Sequence, residues 1–184
     1  VAHAHDHGSA GDDEATTEVD GSGVDVAPDG SGGGGPDAAI EALRAQFSTD
    51  GPFEVETWSP DFEDTSRPTN PNGGFEGSAS RVLPATVWVP AVDVPVPLVI
   101  YGHGFMSQRT DNRVEMELLA SHGFVVAAVD FPLTNRGAPG GANVVDIENQ
   151  PGDVSFLIDQ LVAASADGTS PVAGKVDADR VGIV

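Results

Sequence analysis

Apolar residues in the C-terminal part of the chain form short segments of two kinds, continuous runs and helically spaced sets. The runs at 97–101 (PLVIY) and 124–130 (FVVAAVD) contain several β-branched residues and predict buried parallel strands. Between them, apolar side chains at helical spacing predict a helix over 111–122. A strand, a helix and a second strand in this order predict a parallel crossover.

This crossover helix has recognisable boundary residues. Thr110 or Asp111 can cap its first turn, and Gly123 supplies the left-handed residue at its end. We therefore expect a regular helix with one buried face. The residues predicted to share that face are Val114, Leu118 and Ser121, with Met116, Leu119 and Ala120 beside them.

Two other segments have the apolar spacing of amphipathic helices. A helix over 37–47 would place Ile40, Leu43 and Phe47 on one face. Another helix begins at Asp153, an acidic residue suited to a helix N-terminus. Its predicted buried stripe consists of Phe156, Leu157, Ile158 and Leu161.

The remaining strand candidates flank these elements. Residues 54–58 and 81–90 predict two antiparallel strands at the start of a mixed sheet, and Pro84 confines the second strand to a sheet edge or a bulge. The Pro-, Asn-, Asp- and Gly-rich stretch 59–77 predicts a loop. Residues 181–184 (VGIV) predict the start of a third parallel strand.

Residues 1–36 differ from the rest of the chain in composition. They are rich in Gly, Asp, Ser, Ala and Thr, with almost no large apolar side chain, and predict a disordered acidic linker before a domain over 37–184. His3, His5 and His7 could together chelate a divalent cation, although we favour a solvated tail without a specific ligand. Linkers of this kind often tether exported domains, so we expect a periplasmic, extracellular or lipid-anchored protein whose signal sequence is not in this chain.

Charge and composition exclude several classes of function. The net charge is −21, of which −15 lies in residues 1–64, and no basic patch is present that would attract nucleic acid. No cysteine is available for a disulfide or a thiolate metal site. The apolar runs are too short for a transmembrane segment. Neither a metal ion nor an organic cofactor is predicted, and the oligomeric state is left open.

The central strand ends in a turn that carries candidate chemistry. Gly102 and Gly104 flank His103, and Phe105 follows, so free backbone N–H groups should lie at the carboxyl end of the strand. One interpretation is a phosphate cradle like G-x-G-x-x-G, but Ser107 replaces the third glycine and Phe105 would crowd a pyrophosphate. The other interpretation is an oxyanion hole.

Several segments in the same order resemble the N-terminal half of α/β-hydrolases. The turn at 101–105 (YGHGF) resembles the His-Gly turn after the third strand of that fold. Residues 117–130 and 150–161 resemble the following elements of platelet-activating-factor acetylhydrolases and of dienelactone-hydrolase-like and cutinase-like polyester hydrolases. Residues 176–184 resemble the lead-in to the strand that carries the nucleophile in that group.

The resemblance implies an α/β-hydrolase fold, with a mostly parallel sheet and flanking helices, and a serine hydrolase acting on small-molecule or polymeric carboxylic esters. It implies that the Phe105 N–H is half of an oxyanion hole supported by Gly102, His103 and Gly104, with His103 in a structural role. The side chains of Phe105 and Met106 would then line the substrate pocket.

One element of the family pattern is missing. The nucleophile elbow G-x-S-x-G should follow Val184 directly, and no serine present lies between glycines on a strand-to-helix turn. We therefore expect a partial domain, truncated at both ends and inactive by itself. The alternatives are a non-catalytic hydrolase-fold binding module on an envelope tether and, less favoured, a nucleotide-binding α/β domain.

Overall fold

The computed structural model describes residues 36–184, so the linker predicted over 1–36, with His3, His5 and His7, lies outside the described residues apart from Pro36. The described residues form alternating strands and helices. The elements are α1 (Pro36–Gln46), β1 (Val55–Trp58), β2 (Asp61–Asp64), β3 (Arg81–Pro90), β4 (Val96–Tyr101), α2 (Arg113–Ser121), β5 (Val125–Val129), a 3-10 helix (Val144–Asn149), α3 (Gln150–Asp167) and β6 (Val176–Ile183).

The six strands form one mixed sheet with the order β1-β3-β5-β4-β6, and β2 pairs with the first half of β3. The pairs β4–β5 and β4–β6 are parallel, which confirms the predicted crossover through α2. The pairs β1–β3, β2–β3 and β3–β5 are antiparallel. Within the described residues the sheet is therefore mixed rather than mostly parallel, because β3 runs against all three of its neighbours.

Helices cover both faces of the sheet, as buried sheets with crossover connections require. On one face, α3 packs through Leu157 and Leu161 on the apolar side chains of β3, β4 and β5. On the other face, α2 packs through Met116 and Ala120 around Trp88. None of the helices within residues 36–184 has the length and apolar character of a transmembrane span.

Pro84 lies in an interior strand, contrary to the prediction of an edge or a bulge. Its carbonyl accepts a 2.9 Å hydrogen bond from the N–H of Asp130, directly after β5 ends. The reciprocal bond cannot form because proline has no N–H. Pro84 is tolerated inside the sheet because it stands where the β3–β5 ladder stops.

The apolar faces predicted for two helices are partly wrong. In α1, Ile40 and Leu43 are 46% and 55% exposed, whereas Phe47, just beyond the helix, packs on the ring of His122. In α2, Val114 is exposed, whereas Met116, Ala120 and Ser121 are buried. Helical spacing identified these helices correctly but could not determine which of their apolar side chains meet the sheet.

The predicted caps of α2 are also corrected. Asn112 occupies the N-cap position without a side-chain cap, so neither Thr110 nor Asp111 has that role. The Asp111 carboxylate instead accepts hydrogen bonds from the Ser107 hydroxyl (2.6 Å) and from the Gln108 N–H (3.1 Å). At the other end, Gly123 has φ +93°, the left-handed conformation that was predicted.

One helix begins earlier than predicted, and one strand was not predicted. The helix expected from Asp153 begins at Gln150, which places Pro151 in the first turn. β2 lies inside the stretch predicted as a loop, since its sequence DFED has only one apolar residue, Phe62. β2 is held by its pairing with β3 and by the edge-to-face contact of Phe62 with Trp58, which no local pattern reveals.

Candidate functional site

The carboxyl ends of the three parallel strands meet at one edge of the sheet, and Gly102 and Val184 lie side by side there. The Gly102 N–H donates to the Val184 carbonyl, and the Val184 N–H donates to the Ile100 carbonyl, both at 2.9 Å. In open α/β sheets ligands bind at this edge. The Gly-His-Gly turn predicted from the sequence therefore lies where a site is expected.

His103 is fixed inside the turn. The residue is 3% exposed, and its Nε2 accepts a 3.1 Å hydrogen bond from the backbone N–H of Phe131. Nδ1 must then carry the proton, which it donates to the Gly104 carbonyl at 2.8 Å. The ring also packs on the Phe131 ring, with 4.9 Å between centroids. With both nitrogens engaged, this imidazole braces the turn and is not available as a general base.

Three successive backbone amides of the turn are unpaired within the described residues. Within residues 36–184, the N–H groups of His103, Gly104 and Phe105 have no hydrogen-bond acceptor. The next two amides are paired, Met106 with the Thr134 carbonyl at 2.8 Å and Ser107 with that of Gly104 at 3.1 Å. Three successive unpaired amides, ending at Phe105, can donate to an anionic or polarised oxygen.

Met106 adopts φ +60°, a left-handed conformation that residues with a Cβ seldom adopt. Its hydrogen bond to Thr134 holds this conformation in place. Such strain recurs at functional sites, where it fixes the direction of neighbouring groups. Here it turns the chain directly after the unpaired Phe105 N–H.

A cavity of about 600 Å³ adjoins the turn, between the carboxyl end of the sheet and α3. Its walls are mainly apolar. Phe105 and Met106, predicted to line the substrate pocket, are 46% and 58% exposed and are not among its lining residues, so that assignment stays a prediction. The lining residues are Gly102, Phe131, Ile147, Gln150, Pro151, Val154, Ser155, Ile158, Ile183 and Val184.

Arg109 is a site residue that the sequence analysis missed. Its backbone N–H donates to Asp130 Oδ1 at 2.8 Å, its guanidinium pairs with Asp130 Oδ2, and its Nε donates to the Thr86 hydroxyl at 3.1 Å. Asp130 thereby fastens the segment that follows the turn to the end of β5. A dinucleotide site would need a free carboxylate near the end of this strand for a ribose hydroxyl, and both oxygens of Asp130 are already engaged.

A second ion pair, between Asp111 and Arg136, fixes the same segment at the protein surface. The hydrogen bond from the Ser107 hydroxyl lowers the pKa of Asp111, and the nearby Arg136 guanidinium acts in the same direction.

Among residues 36–184, no three His, Asp or Glu side chains are grouped so that they could hold a metal ion.

Replacing His103 with alanine is expected to lower the free energy of unfolding by about 1–3 kcal/mol, because the buried Phe131 N–H loses its acceptor. Urea unfolding followed by tryptophan fluorescence measures the loss. The control is His122→Ala, which removes a ring with one hydrogen bond, to the Thr49 carbonyl, at a less buried position. A loss at His103 no larger than that at His122 would show that the imidazole does not brace the turn.

Comparison with known proteins identifies the fold. No protein-family model matches the chain, and no curated protein matches it either. The structure is similar to that of a ferulic acid esterase from Streptomyces cinnamoneus, with a TM-score of 0.53 and 23% sequence identity. The match covers 74% of this chain and 52% of the esterase, so the chain spans about half the length of that protein. The likeness shows the fold alone: over the matched part, this chain has the mixed α/β fold of that esterase.

Proposed function

We propose that residues 36–184 are part of a serine hydrolase that acts on carboxylic esters, and that they supply the Gly-His-Gly turn of its oxyanion hole. The observation that carries the proposal is the row of unpaired amides ending at Phe105, held by the buried His103 at the carboxyl edge of the sheet. The structural likeness to a ferulic acid esterase supports ester chemistry on this scaffold. Which ester is cleaved is set by loops and cannot be taken from the fold.

In this reaction a serine hydroxyl attacks the ester carbonyl while a histidine accepts its proton, and the carbonyl oxygen becomes negatively charged. The Phe105 N–H donates a hydrogen bond to that oxygen as its charge develops. No rearrangement of the turn is needed at that moment, since His103 and the Met106–Thr134 bond already fix the backbone.

Four serines of the hydrolase-like segments do not provide the nucleophile. Ser107 donates to Asp111, Ser121 to the Leu118 carbonyl within α2, and Ser155 to the Pro151 carbonyl within α3. Ser165 accepts from the Val176 N–H. None lies on a sharp strand-to-helix turn, so the proposal places the nucleophile, the acid and the general base outside residues 36–184.

The test compares the 184-residue chain with one extended by the codons that follow Val184. The extended chain is expected to contain Gly-x-Ser-x-Gly, to hydrolyse 4-nitrophenyl butyrate with saturation kinetics and to be labelled on serine by a fluorophosphonate. The 184-residue chain is expected neither to hydrolyse this ester nor to be labelled by the fluorophosphonate.

Saturable hydrolysis by the 184-residue chain would disprove the proposal that the nucleophile lies outside residues 36–184. An extended chain that is neither active nor labelled would disprove the hydrolase and favour the non-catalytic binding module. Export of the protein, with the acidic segment over 1–36 as a linker to the cell envelope, is a separate proposal, tested by locating the protein in fractionated cells.

A further inference from the structure

A second cavity, of about 400 Å³, lies on the other side of the end of β5. The ester chemistry proposed above does not use it. It lies between the β2–β3 loop, the segment after the Gly-His-Gly turn and residues 130–139. One group of lining residues is apolar: Phe75, Val82, Pro84, Pro132 and Pro139. The other lining residues include the polar side chains Thr69, Ser78, Ser80, Gln108, Asp130 and Asn135.

Two of the loops that enclose this cavity are packed against each other. Asn72, in the β2–β3 loop, donates from Nδ2 to the carbonyls of Pro139 and Gly141, at 2.8 and 2.5 Å. Gly140, at φ +77°, lies so close that a Cβ there would come within 1.8 Å of the Asn72 carbonyl oxygen. Because this contact joins the two loops, the cavity is formed before any ligand binds, as small-molecule sites usually are.

Most polar side chains of the lining already have partners. The Thr69 hydroxyl donates to the Ser80 carbonyl, the Ser80 hydroxyl to Glu63, and the Asn135 amide to the Phe131 carbonyl. Two groups are left. Among residues 36–184, the Gln108 side-chain amide has no hydrogen-bond partner, and the Ser78 hydroxyl accepts a weak bond from the Ser80 N–H but donates to nothing.

The charge of the lining favours an uncharged ligand. Asp130, the one ionised residue there, is neutralised by Arg109. The net charge of −21 disfavours anions over the whole surface. Since the one carboxylate of the lining is already paired, neither a cation nor an anion would gain an unopposed partner.

We propose that this cavity binds a neutral, polyhydroxylated ring such as a pyranoside. The C–H face of the ring packs on the Phe75 ring, whose π face is negative, and on the neighbouring prolines. Gln108 and Ser78 form hydrogen bonds with the ring hydroxyls. A purely apolar ligand of the same size would leave Gln108 and Ser78 desolvated without partners, which costs affinity. The inference does not rest on the proposed ester hydrolysis.

The experiment titrates the 184-residue chain with methyl β-glucopyranoside and follows binding by saturation-transfer NMR. We expect saturation with a dissociation constant on the order of 1 mM, the range open to a ligand of this size. Cyclohexylmethanol, which has a ring of similar size and one hydroxyl, should bind at least about fivefold more weakly. Failure to saturate at tens of millimolar, or equal binding of the two ligands, would overturn the proposal.

Variants locate the binding. Gln108→Leu removes both polar groups of the side chain at nearly constant volume and should weaken pyranoside binding at least about fivefold. The matched control is Gln46→Leu, the same substitution on exposed α1, which should bind like the unaltered chain. Ser78→Ala gives a second readout should Gln108→Leu fold poorly. Binding that changes less than about fivefold in both cavity variants would overturn the assignment of this cavity.

This result is separable from the proposed function. Pyranoside binding requires no nucleophile, so its absence leaves the hydrolase test untouched. An extended chain that binds the pyranoside but neither hydrolyses esters nor reacts with a fluorophosphonate would disprove the hydrolase alone.

Discussion

Replacing Arg81 with methionine is expected to lower the free energy of unfolding by about 3–5 kcal/mol, the largest loss of stability that the structure predicts. Arg81 is completely buried and lies between the carboxylates of Asp146 and Asp153. Methionine fills much of the volume but carries no charge. The two carboxylates would then stay buried without their main cation.

The geometry supports a large effect. Arg81 binds Asp153 through two hydrogen bonds of 2.7 Å, from Nε and Nη2, and binds Asp146 through Nη1 and Nη2 at 3.1 and 2.9 Å. Burial alone would lower the pKa of Arg81, but these hydrogen bonds, first those to Asp153, raise it above its usual value. The guanidinium is therefore charged at every pH at which the protein folds.

Further groups complete this ion cluster. Arg67 Nη2 lies 2.9 Å from Asp153 Oδ1, close enough for an ion pair but not aligned for a hydrogen bond, and Arg67 Nε donates to Asp64 at 2.6 Å. The cluster thus ties β2 and β3 to the 3-10 helix and the first turn of α3. The lining residues of the second cavity all lie between these anchors in the sequence.

The measurement is urea unfolding with a matched control. Arg113→Met removes an exposed arginine paired with Glu117 one helical turn away, and should cost less than about 1 kcal/mol. Equal slopes of free energy against urea would show that the midpoint shift reports stability. If Arg81→Met cannot be obtained folded, Asp146→Asn is measured in its place. An effect at Arg81 as small as that at Arg113 would contradict the prediction.

This cluster shows where reasoning from the sequence stops. Arg81 was predicted only as the start of a strand and Asp153 only as a favourable helix N-terminus, and Asp153 does lie in the first turn of α3. Their pairing joins residues 72 positions apart and has no local pattern. The same limit explains β2, which depends on β3, and the second cavity, whose walls come from three separated segments.

Local patterns predicted what local physics determines. The runs of β-branched residues identified β4 and β5, and the spacing between them gave the crossover through α2. The Gly-His-Gly turn was located because glycines directly after an apolar run end the strand and let the backbone turn sharply. That His103 uses both ring nitrogens depends on Phe131, which is 28 residues away, and only the structure shows it.

Replacing Phe105 with proline in the extended chain is expected to lower kcat for 4-nitrophenyl butyrate by about 10²–10³-fold. Proline removes the backbone N–H, and the loss of one oxyanion donor has an effect of this size. The matched variant is Phe105→Ala, which removes the side chain and keeps the N–H. For it we expect kcat to change by less than about tenfold, with a rise in KM if the exposed ring contacts substrate.

The pair separates the backbone from the side chain at one position. Gly104, the residue before the new proline, tolerates the extended backbone that proline imposes on its neighbour. Urea midpoints of both variants show whether the turn survives, and an intact midpoint is required before the rates are compared. Equal losses of kcat in the two variants would assign the effect to the ring. A loss confined to Phe105→Pro would assign it to the amide, the one group of Phe105 that the proposed chemistry needs.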